Sequence, residues 1–458
     1  MCAVYLALVC VQLFKTPIIG LADNGDFPKV LGRLDICDPH EHYRYVVVAY
    51  KIGPECRWDS HLVSSEAAFV KIIKQVATWN QLYEISIQAQ GKAHLTVVLA
   101  ALGILLWTLH GSRPVLRYGV PPLIVLIFSD VAYVAFLNSF YMDAAAMVFL
   151  LLTVSLACAA MRRPRTWVAI AFGIAAVYFI TSKSQHALLG PLLAGLAVWF
   201  ACRGSKRMAL LWLASAAAAI VATGAMVTQT TTEYRTYPLY NLIFFNLAKQ
   251  SPHPEQTLAE LGLPSSYLPL IGTHSYSLNA PASNAPWEAE FLARTSYFKL
   301  AAYYWHHPPM AFNRLWETLR VDAPAIRWGC LGNYRQQDGY PPGALANRFD
   351  AWSNLRSWLF RCLPLHAVVF YLLVAGGCVW CMFRPRVAAQ WPFYPIALAL
   401  AFCGAIEFGC GALLDCLETG RHLFLFHVIT EMLIVCAVAG LMCGAAERFH
   451  GRPDHADM

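Results

Sequence analysis

The feature that most constrains this chain is a series of apolar runs, each long enough to cross a bilayer as a helix, which takes roughly 20 residues. About ten such runs divide the sequence; they lie at about 3–22, 93–110, 118–137, 144–161, 167–182, 187–202, 208–227, 364–383, 393–414 and 423–446. Apolar residues make up 58% of the chain and charged residues 13%, against about 45–50% and about 25% in soluble domains. This composition excludes a soluble enzyme, a nucleic-acid-binding protein and a disordered chain. The sequence therefore predicts an all-α polytopic membrane protein with about ten transmembrane helices.

The charges in the short connections predict how these spans are oriented. An excess of Lys and Arg in short loops marks the cytoplasmic side of a membrane. Four connections are purely basic; they carry Arg113/Arg117, Arg162/Arg163/Arg165, Arg203/Lys206/Arg207 and Arg384/Arg386. All four fall on one side of the predicted topology, together with the tail at 447–458. We therefore expect the polar motifs, which lie in the other connections, to be outside the cytoplasm.

Segment lengths predict the domain organisation. An N-terminal module at 1–227 holds seven predicted spans and a first outer loop at about 23–92, and a C-terminal module at 364–446 holds three. Residues 228–363 contain no spanning run and are too long for an ordinary connection. Their aromatic and basic stretch at 294–320 is typical of amphipathic helices in the headgroup layer. The alternative is that some of these aromatic rings stack on sugars.

Four cysteines lie in the predicted outer loops. Cys37 and Cys56 share the first loop, and Cys330 and Cys362 share the long one. Because disulfides persist on the oxidising side of a membrane, a local disulfide is plausible in each loop. Most other cysteines lie inside the apolar runs, where they behave as small apolar side chains.

Polar motifs recur where the predicted spans reach the outer side. They are Asp23-Asn24-Gly25-Asp26-Phe27, Asn138-Ser139-Phe140-Tyr141-x-Asp143, Lys183-Ser184-Gln185-His186, and the stretch Asp415 to Leu423. The first, second and last of these, in this order and on one face, resemble the GT-C superfamily of multi-span glycosyltransferases that use polyprenyl-phosphate sugars. The resemblance is closest to bacterial surface-glycan hexose transferases, and segments 240–245 and 258–264 are similar to that group as well. One departure is Asp143, where glutamate is more often expected.

The resemblance implies transfer of a hexose-type sugar from a polyprenyl-phosphate donor to a glycan or lipid-linked acceptor. The active site would lie on the periplasmic face of a bacterial inner membrane. Asp26 would be the general base and Asp143 a second catalytic carboxylate. Arg421 and His422 would bind the donor phosphate, because the planar guanidinium fork matches phosphate oxygens. The other expected binding residues are Lys183, Gln185, His186, Asn24, Asn138, Tyr141, Asp415 and Glu418.

Each of these assignments has a structural alternative. The acidic residues at 23–26 could instead cap a helix at 27–34. Arg421 could simply form an ion pair with a nearby carboxylate, and Lys183 could extend its amine towards the interface.

Two further groups of residues bear on cofactors. Asp130, Glu407 and Glu431 lie inside predicted spans, where acids are costly and usually face the protein interior; Asp130 and Glu407 are secondary candidates for the site. His40-Glu41-His42 has the residue types of a metal site, although its spacing matches no strong motif. GT-C enzymes differ in whether a divalent cation such as Mg or Mn assists the base carboxylate, so the cofactor stays open. The expected partners are the bilayer, the sugar donor and the acceptor, with no nucleic acid.

Two other functions remain open from the sequence. A transporter or flippase of lipid-linked glycans would also be polytopic, but transporters tend to have repeated halves and interrupted helices at mid-membrane. The polar motifs here lie at one face, and the two halves are unlike. A glycan ligase or polymerase would share the long outer loop but use a different donor.

Overall fold

The fold is a mostly helical bundle with two short strands. The computed structural model describes residues 1–37, 39, 43–57, 62–230, 232–384 and 391–449. The N-terminal part contains α1 (Cys2–Leu13), α2 (Phe27–Leu31), β1 (Ala49–Lys51), α3 (Glu66–Trp79), β2 (Glu84–Ser86), α4 (Ile87–Leu109), α5 (Pro114–Phe128), α6 (Val131–Leu137), α7 (Met142–Arg162), α8 (Thr166–Ile180), α9 (Gly190–Ala201) and α10 (Lys206–Thr228). Strands β1 and β2 pair antiparallel within the first outer loop.

The long loop and the C-terminal part are helical as well. They contain α11 (Thr232–Tyr240), α12 (Ala248–Gln250), α13 (Pro254–Glu260), α14 (Ala285–Arg294), α15 (Tyr297–His306), α16 (Pro308–Glu317), α17 (Ala351–Cys362), α18 (His366–Phe383), α19 (Tyr394–Leu413), α20 (Thr419–His422) and α21 (Phe424–Phe449). Segments Asn241–Leu247 and Thr318–Asp322 are wound as π-helices.

Six of these helices are long and apolar enough to cross a membrane: α4, α7, α10, α18, α19 and α21. Helices α5 and α6 together form a further candidate that is bent by 70°. Shorter apolar helices lie at α1, α8 and 186–201. The prediction of a polytopic helical membrane protein is thus confirmed, whereas the number of spans stays a prediction.

The first predicted span differs from the structure in its second half. Helix α1 ends at Leu13, and the apolar residues up to Ala22 run as non-helical chain. Proline at position 17 disfavours the helical conformation for the residue before it. The Asn138 amide donates to the carbonyls of Leu13 at 3.0 Å and Ile19 at 2.8 Å, so this segment is held by a side chain 119 or more residues away. Hydrophobicity alone therefore overestimated the helix.

The basic loops meet at one end of the bundle. The Arg162 guanidinium donates to Ser112 Oγ at 2.9 Å, and Arg113 donates to the Cys443 carbonyl at 3.4 Å. Helices α4, α7 and α21 run from this end to the opposite end, about 30 Å away at 1.5 Å per residue. The first outer loop, the long loop and the polar motifs lie at that opposite end.

Part of the long loop has a hydrophobic core of its own. Its centre contains Tyr240, Phe244 and Phe291, all fully buried. On its surface, within the stretch predicted to be amphipathic, Phe298 is 89% exposed and Trp305 is 82% exposed. Their exposure is consistent with the amphipathic helices that the sequence predicts for this stretch, and contact with lipid headgroups stays a prediction.

The cysteine predictions have two outcomes. Cys37 and Cys56 form a disulfide, whereas Cys330 and Cys362 are both free and exposed. The second predicted disulfide is therefore wrong for this structure. Other predictions lie outside the described residues: the candidate metal ligands at 40–42, the basic residue at 386 and the tail from 450 onward.

Native cysteines can test the orientation of the bundle. Cys330 is exposed at the loop end and Cys202 at the basic end. If the basic end is cytoplasmic, a membrane-impermeant maleimide added to intact cells should label Cys330 and leave Cys202 unlabelled until the membrane is permeabilised. Cys330→Ser and Cys202→Ser variants assign the labelled peptides in the mass spectrum. Labelling of Cys202 in intact cells would reverse the orientation.

Candidate functional site

Charged side chains from four distant parts of the sequence converge at the loop end of the bundle. They come from the first outer loop, the start of α7, the turn after α8, and α19 with the segment that follows it. We refer to them as the charged cluster: Asp26, Lys29, Asp143, Lys183, His186, Glu407, Glu418 and Arg421. Several contribute ion pairs that are almost completely buried.

The first acidic loop is folded by Asp23 and not by Asp26. Asp23 Oδ1 accepts backbone hydrogen bonds from Gly25 and Asp26 at 2.9 Å and from Phe27 at 3.0 Å. Gly25 has a φ of +97°, which glycine adopts without strain. Asp26 precedes α2 but makes no side-chain capping bond. The capping role considered from the sequence thus falls to Asp23, and the Asp26 carboxylate points to the cluster.

Tyr141 ties this loop to the turn before α7. Its hydroxyl donates to the Ala22 carbonyl at 2.9 Å and accepts the Asn24 N–H at 2.9 Å. The Asn24 amide in turn donates to Glu418 Oε2 at 2.7 Å. These bonds connect three of the sequence motifs, so Tyr141 and Asn24 position the loops that carry the charges.

Arg421 lies at the centre of the cluster. Its Nη1 is 2.8 Å from Asp26 Oδ2 and 3.9 Å from Asp143 Oδ2, while its Nε donates to Glu418 Oε2 at 3.0 Å. The guanidinium also lies 5.5 Å from the centre of the Tyr141 ring. Arg421 therefore holds carboxylates from three separate motifs.

The electrostatic balance keeps Asp26 ionised. Burial acts to raise the pKa of Asp26, but the charges of Lys29, which pairs with it directly, and of Arg421 and Lys183 outweigh burial. The pKa of Asp26 is consequently held well below its usual value. The carboxylate can accept a proton at neutral pH, although its basicity is low while these cations contact it.

His422 behaves differently from its neighbour Arg421. Burial, together with the positive charges of Lys183 and Arg421, lowers the pKa of His422 well below its usual value. Its Nε2 lies 3.3 Å from Asp415 Oδ2, and burial raises the pKa of Asp415. His422 is therefore uncharged at neutral pH, and its role in phosphate binding stays a prediction.

Asp143 organises the other half of the cluster. Lys183 Nζ donates to its two oxygens at 3.1 and 3.4 Å, and His186 Nε2 is 3.8 Å from Oδ1. On its other side, His186 Nδ1 is 2.9 Å from Glu407 Oε1, and Gln185 donates to Glu407 Oε2 at 2.7 Å. All except Gln185 are buried. Lys183 is thus an interior ion-pair partner and does not extend to the interface.

The donor set of the charged cluster does not fit a divalent cation as it is arranged. Asp26 and Asp143 converge on the Arg421 guanidinium, which already supplies the positive charge between them. Among the described residues, one group of three potential ligands lies close enough for a metal, and it combines Glu55 with the two disulfide-bonded cysteines of the first loop. Disulfide sulfur is not the thiolate that binds metals. In their present arrangement, neither of these two groups of described residues is suited to bind a divalent cation.

Comparison with known proteins places the chain in a family. A family model described as the YfdI N-terminal transmembrane domain matches residues 1–448, which is nearly the whole chain. The chain belongs to the YfdI family. No curated protein and no solved structure matches it.

Three polar residues predicted for the site or its surroundings have other contacts in this YfdI-family chain. Asn138 donates both amide hydrogens to backbone carbonyls of the first segment and does not join the charged cluster. Asp130 caps α6 through Ala132 N–H at 2.9 Å. Glu431 accepts from Arg356 at 3.0 Å inside the bundle. Their contacts are those of residues that position helices.

Two members of the site were missed from the sequence. Lys29 lies one helical turn after Asp26, and that spacing could have revealed it. The Tyr43 hydroxyl donates to Glu418 Oε1 at 3.0 Å across 375 residues of sequence, which no local pattern indicates.

Three further polar residues, Glu66, His94 and Ser64, link the first outer loop to the turns that carry the charged cluster. Glu66 and His94 are fully buried and lie 3.1 Å apart, and His94 Nδ1 is 2.9 Å from the Leu137 carbonyl. Beside Glu66, Ser64 donates to the Ser182 carbonyl at 2.6 Å. The first outer loop thereby contacts the turn that presents Lys183 directly and reaches the turn before Asp143 through His94 of α4.

Removing one hydroxyl should show how strongly the loops are tied together. Tyr141→Phe keeps the ring but leaves the Ala22 carbonyl and the Asn24 N–H without this partner, which should destabilise the fold by about 1–3 kcal/mol. The melting temperature in detergent should fall for Tyr141→Phe and stay unchanged for Tyr118→Phe, whose side chain is 68% exposed. Equal melting of both variants would contradict the positioning role.

Proposed function

We propose that this YfdI-family protein is a GT-C-type glycosyltransferase that moves a hexose-type sugar from a polyprenyl phosphate to a glycan or lipid-linked acceptor. The observation that carries the proposal is the position of Arg421, a buried cation that contacts Asp26 and Glu418 and lies close to Asp143. A phosphate leaving group requires a fixed cation, and an attacking hydroxyl requires a carboxylate that can act as a general base. The charged cluster contains both side by side. The resemblance of the motifs to GT-C enzymes supports the same reaction.

A small apolar pocket beside Arg421 supports a lipid-linked donor. Its volume is about 30 Å³, and Arg421 is one of its lining residues, together with the polar residues Arg327 and Asn333. The other walls include Leu21, Val131, Phe136 and Phe424. A phosphate on the guanidinium would place the first part of a hydrocarbon chain against these side chains. A free sugar nucleotide would gain nothing from such walls.

The ion pairs suggest how donor binding activates the base. A phosphate that enters the site competes with Asp26 for Arg421, because the guanidinium fork binds either group. Once Arg421 turns to the phosphate, Asp26 loses one of the charges that depress its pKa. Its basicity then rises toward the value that general-base catalysis requires. Donor binding and base activation are coupled through one side chain.

In the transfer step, the acceptor hydroxyl oxygen attacks the anomeric carbon of the sugar. The bond between that carbon and the phosphate oxygen breaks, and its electron pair leaves with the polyprenyl phosphate. Asp26 takes the hydroxyl proton. Arg421 stabilises the negative charge that develops on the phosphate oxygen. Such electrostatic stabilisation of the transition state is usually the largest single contribution to the rate. Asp143 pairs with Lys183 and lies near Arg421. Asp143 is the next candidate for proton transfer, and Lys183 is the next candidate for phosphate contact.

We further propose a bacterial inner membrane location with this site on the extracytoplasmic face. The charged cluster lies at the end of the bundle away from the basic loops. The excess of positive residues in those loops supports a cytoplasmic location for them.

Arg421→Lys tests the phosphate-binding role. Lysine keeps the charge but loses the planar fork, so transfer from polyprenyl-phosphate hexoses should fall about 10- to 150-fold, the equivalent of one charged hydrogen bond. The assay follows release of polyprenyl phosphate from a panel of such donors, and Arg320→Lys, an exposed arginine of the long loop, is the control. Unchanged transfer with a lower melting temperature would make Arg421 an ion-pair partner only.

Asp26→Asn tests the base. Asparagine keeps the size of the side chain and loses the negative charge that accepts the proton, so turnover should fall about 10²- to 10⁴-fold while donor binding persists. Asp35→Asn is a matched control, because Asp35 forms an ion pair with Lys74 in the same outer loop but outside the charged cluster. Full transferase activity in Asp26→Asn would exclude Asp26 as the base and leave Asp143 or Asp23.

A further inference from the structure

The other half of the bundle contains an apolar groove that the proposed reaction does not use. Helices α4, α5, α7 and α21 form its walls, and Tyr5, Trp391 and Phe393 also line it. Its volume is about 90 Å³, and almost every lining atom is apolar. Leu102, Leu105 and Val435 are only partly buried although they line it.

The lining residues form stripes that run along the helices. On α4 the stripe is Val98, Leu102, Leu105 and Leu109; on α5 it is Leu116, Val120, Ile124 and Phe128. These spacings of three and four residues keep the side chains on one helix face. At 1.5 Å per residue, each stripe is about 16–18 Å long. This length is close to half of the roughly 30 Å hydrocarbon thickness of a bilayer.

Two of the helices that line the groove, α5 and α7, carry an arginine just beyond their lining residues. Arg113 lies three residues before Leu116 on α5, and Arg162 lies four residues after Cys158 on α7. Both arginines are exposed at the basic end. Along α5 and α7, the apolar lining of the groove is therefore followed at the basic end by a positive charge.

We propose that this groove binds an anionic phospholipid of the leaflet at the basic end. Part of one acyl chain would lie in the groove between α4, α5, α7 and α21, and the lipid phosphate would contact Arg113 and Arg162. Basic residues at the ends of transmembrane helices attract anionic headgroups, and arginine binds phosphate through its planar fork. The occupant is a resident lipid and not the sugar donor, because the groove lies at the end of the bundle opposite the charged cluster.

Leaving an apolar groove unfilled costs free energy, and an acyl chain would recover it. An unfilled apolar cavity forfeits dispersion contacts along all its walls. Water would not replace them, because a water molecule needs two to four polar partners. Three lining side chains carry an oxygen or a nitrogen, Tyr5, Ser155 and Trp391, and the Tyr5 hydroxyl already donates to the Phe128 carbonyl at 3.3 Å. Hydrocarbon is the material in the surroundings that can fill such a space.

Native mass spectrometry of the purified, delipidated full-length protein can test the site. Dioleoyl phosphatidylglycerol should bind more tightly than dioleoyl phosphatidylcholine, which has the same chains and no net charge. Arg113→Gln/Arg162→Gln should weaken phosphatidylglycerol binding about 30-fold, about fivefold for each charge, and remove the preference over phosphatidylcholine. The control Arg203→Gln/Arg207→Gln removes the same charge from another basic loop and should have little effect.

A third variant tests the chain-binding part. Ala439→Leu adds volume to the groove wall and should weaken the binding of both lipids, while Ala225→Leu on α10, away from the groove, should not. Equal affinity for the two lipids in the wild type, or equal loss in the two arginine pairs, would overturn the proposal. So would displacement of phosphatidylglycerol by undecaprenyl phosphate at equal concentration, because the groove would then belong to the polyprenyl carrier. Melting curves without added lipid confirm that each variant is folded.

Discussion

The contact between Arg421 and Asp26 is the interaction on which the rest of the site depends. It joins the first outer loop to the segment before α21, and the same guanidinium holds Glu418 and lies near Asp143. Burying charges costs several kcal/mol for each ion unless partners and hydrogen bonds compensate. The chain supplies these partners from four motifs, so no loop of the site is positioned independently of the others.

This dependence explains why the residues around the cluster are so closely bonded. Tyr141 fixes the backbone of the acidic loop, His94 contacts the turn before Asp143, and Ser64 contacts the turn that presents Lys183. A mispositioned carboxylate would leave a buried charge without its partner, which typically costs about 3–5 kcal/mol. Rigid neighbours therefore protect both stability and the geometry that the proposed reaction needs.

The sequence predicts a polytopic helical membrane protein because a bilayer imposes one demand, a long apolar helix, that can be read locally. It overestimates α1 because Asn138, far away in sequence, holds the following segment in a non-helical conformation. It also groups Asp23 with Asp26, although only Asp23 bonds the loop backbone. The charge of His422 could not be predicted either, since it depends on burial and on Lys183, which lies 239 positions earlier in the sequence. The errors at α1 and His422 come from long-range contacts, whereas the error at Asp23 and Asp26 comes from local loop geometry.

The contacts of Arg421 also bear on how the proposed site, with so many carboxylates, would bind a phosphate. The charge of Arg421 is balanced by Asp26 and Glu418. A phosphate must displace one carboxylate to reach the guanidinium, and Asp26, which also pairs with Lys29, can give up this contact without becoming isolated. In the proposed reaction, the displaced carboxylate would lie beside the reacting sugar with a higher affinity for protons. An open cationic pocket would bind phosphate more tightly, but it would not couple phosphate binding to the basicity of Asp26.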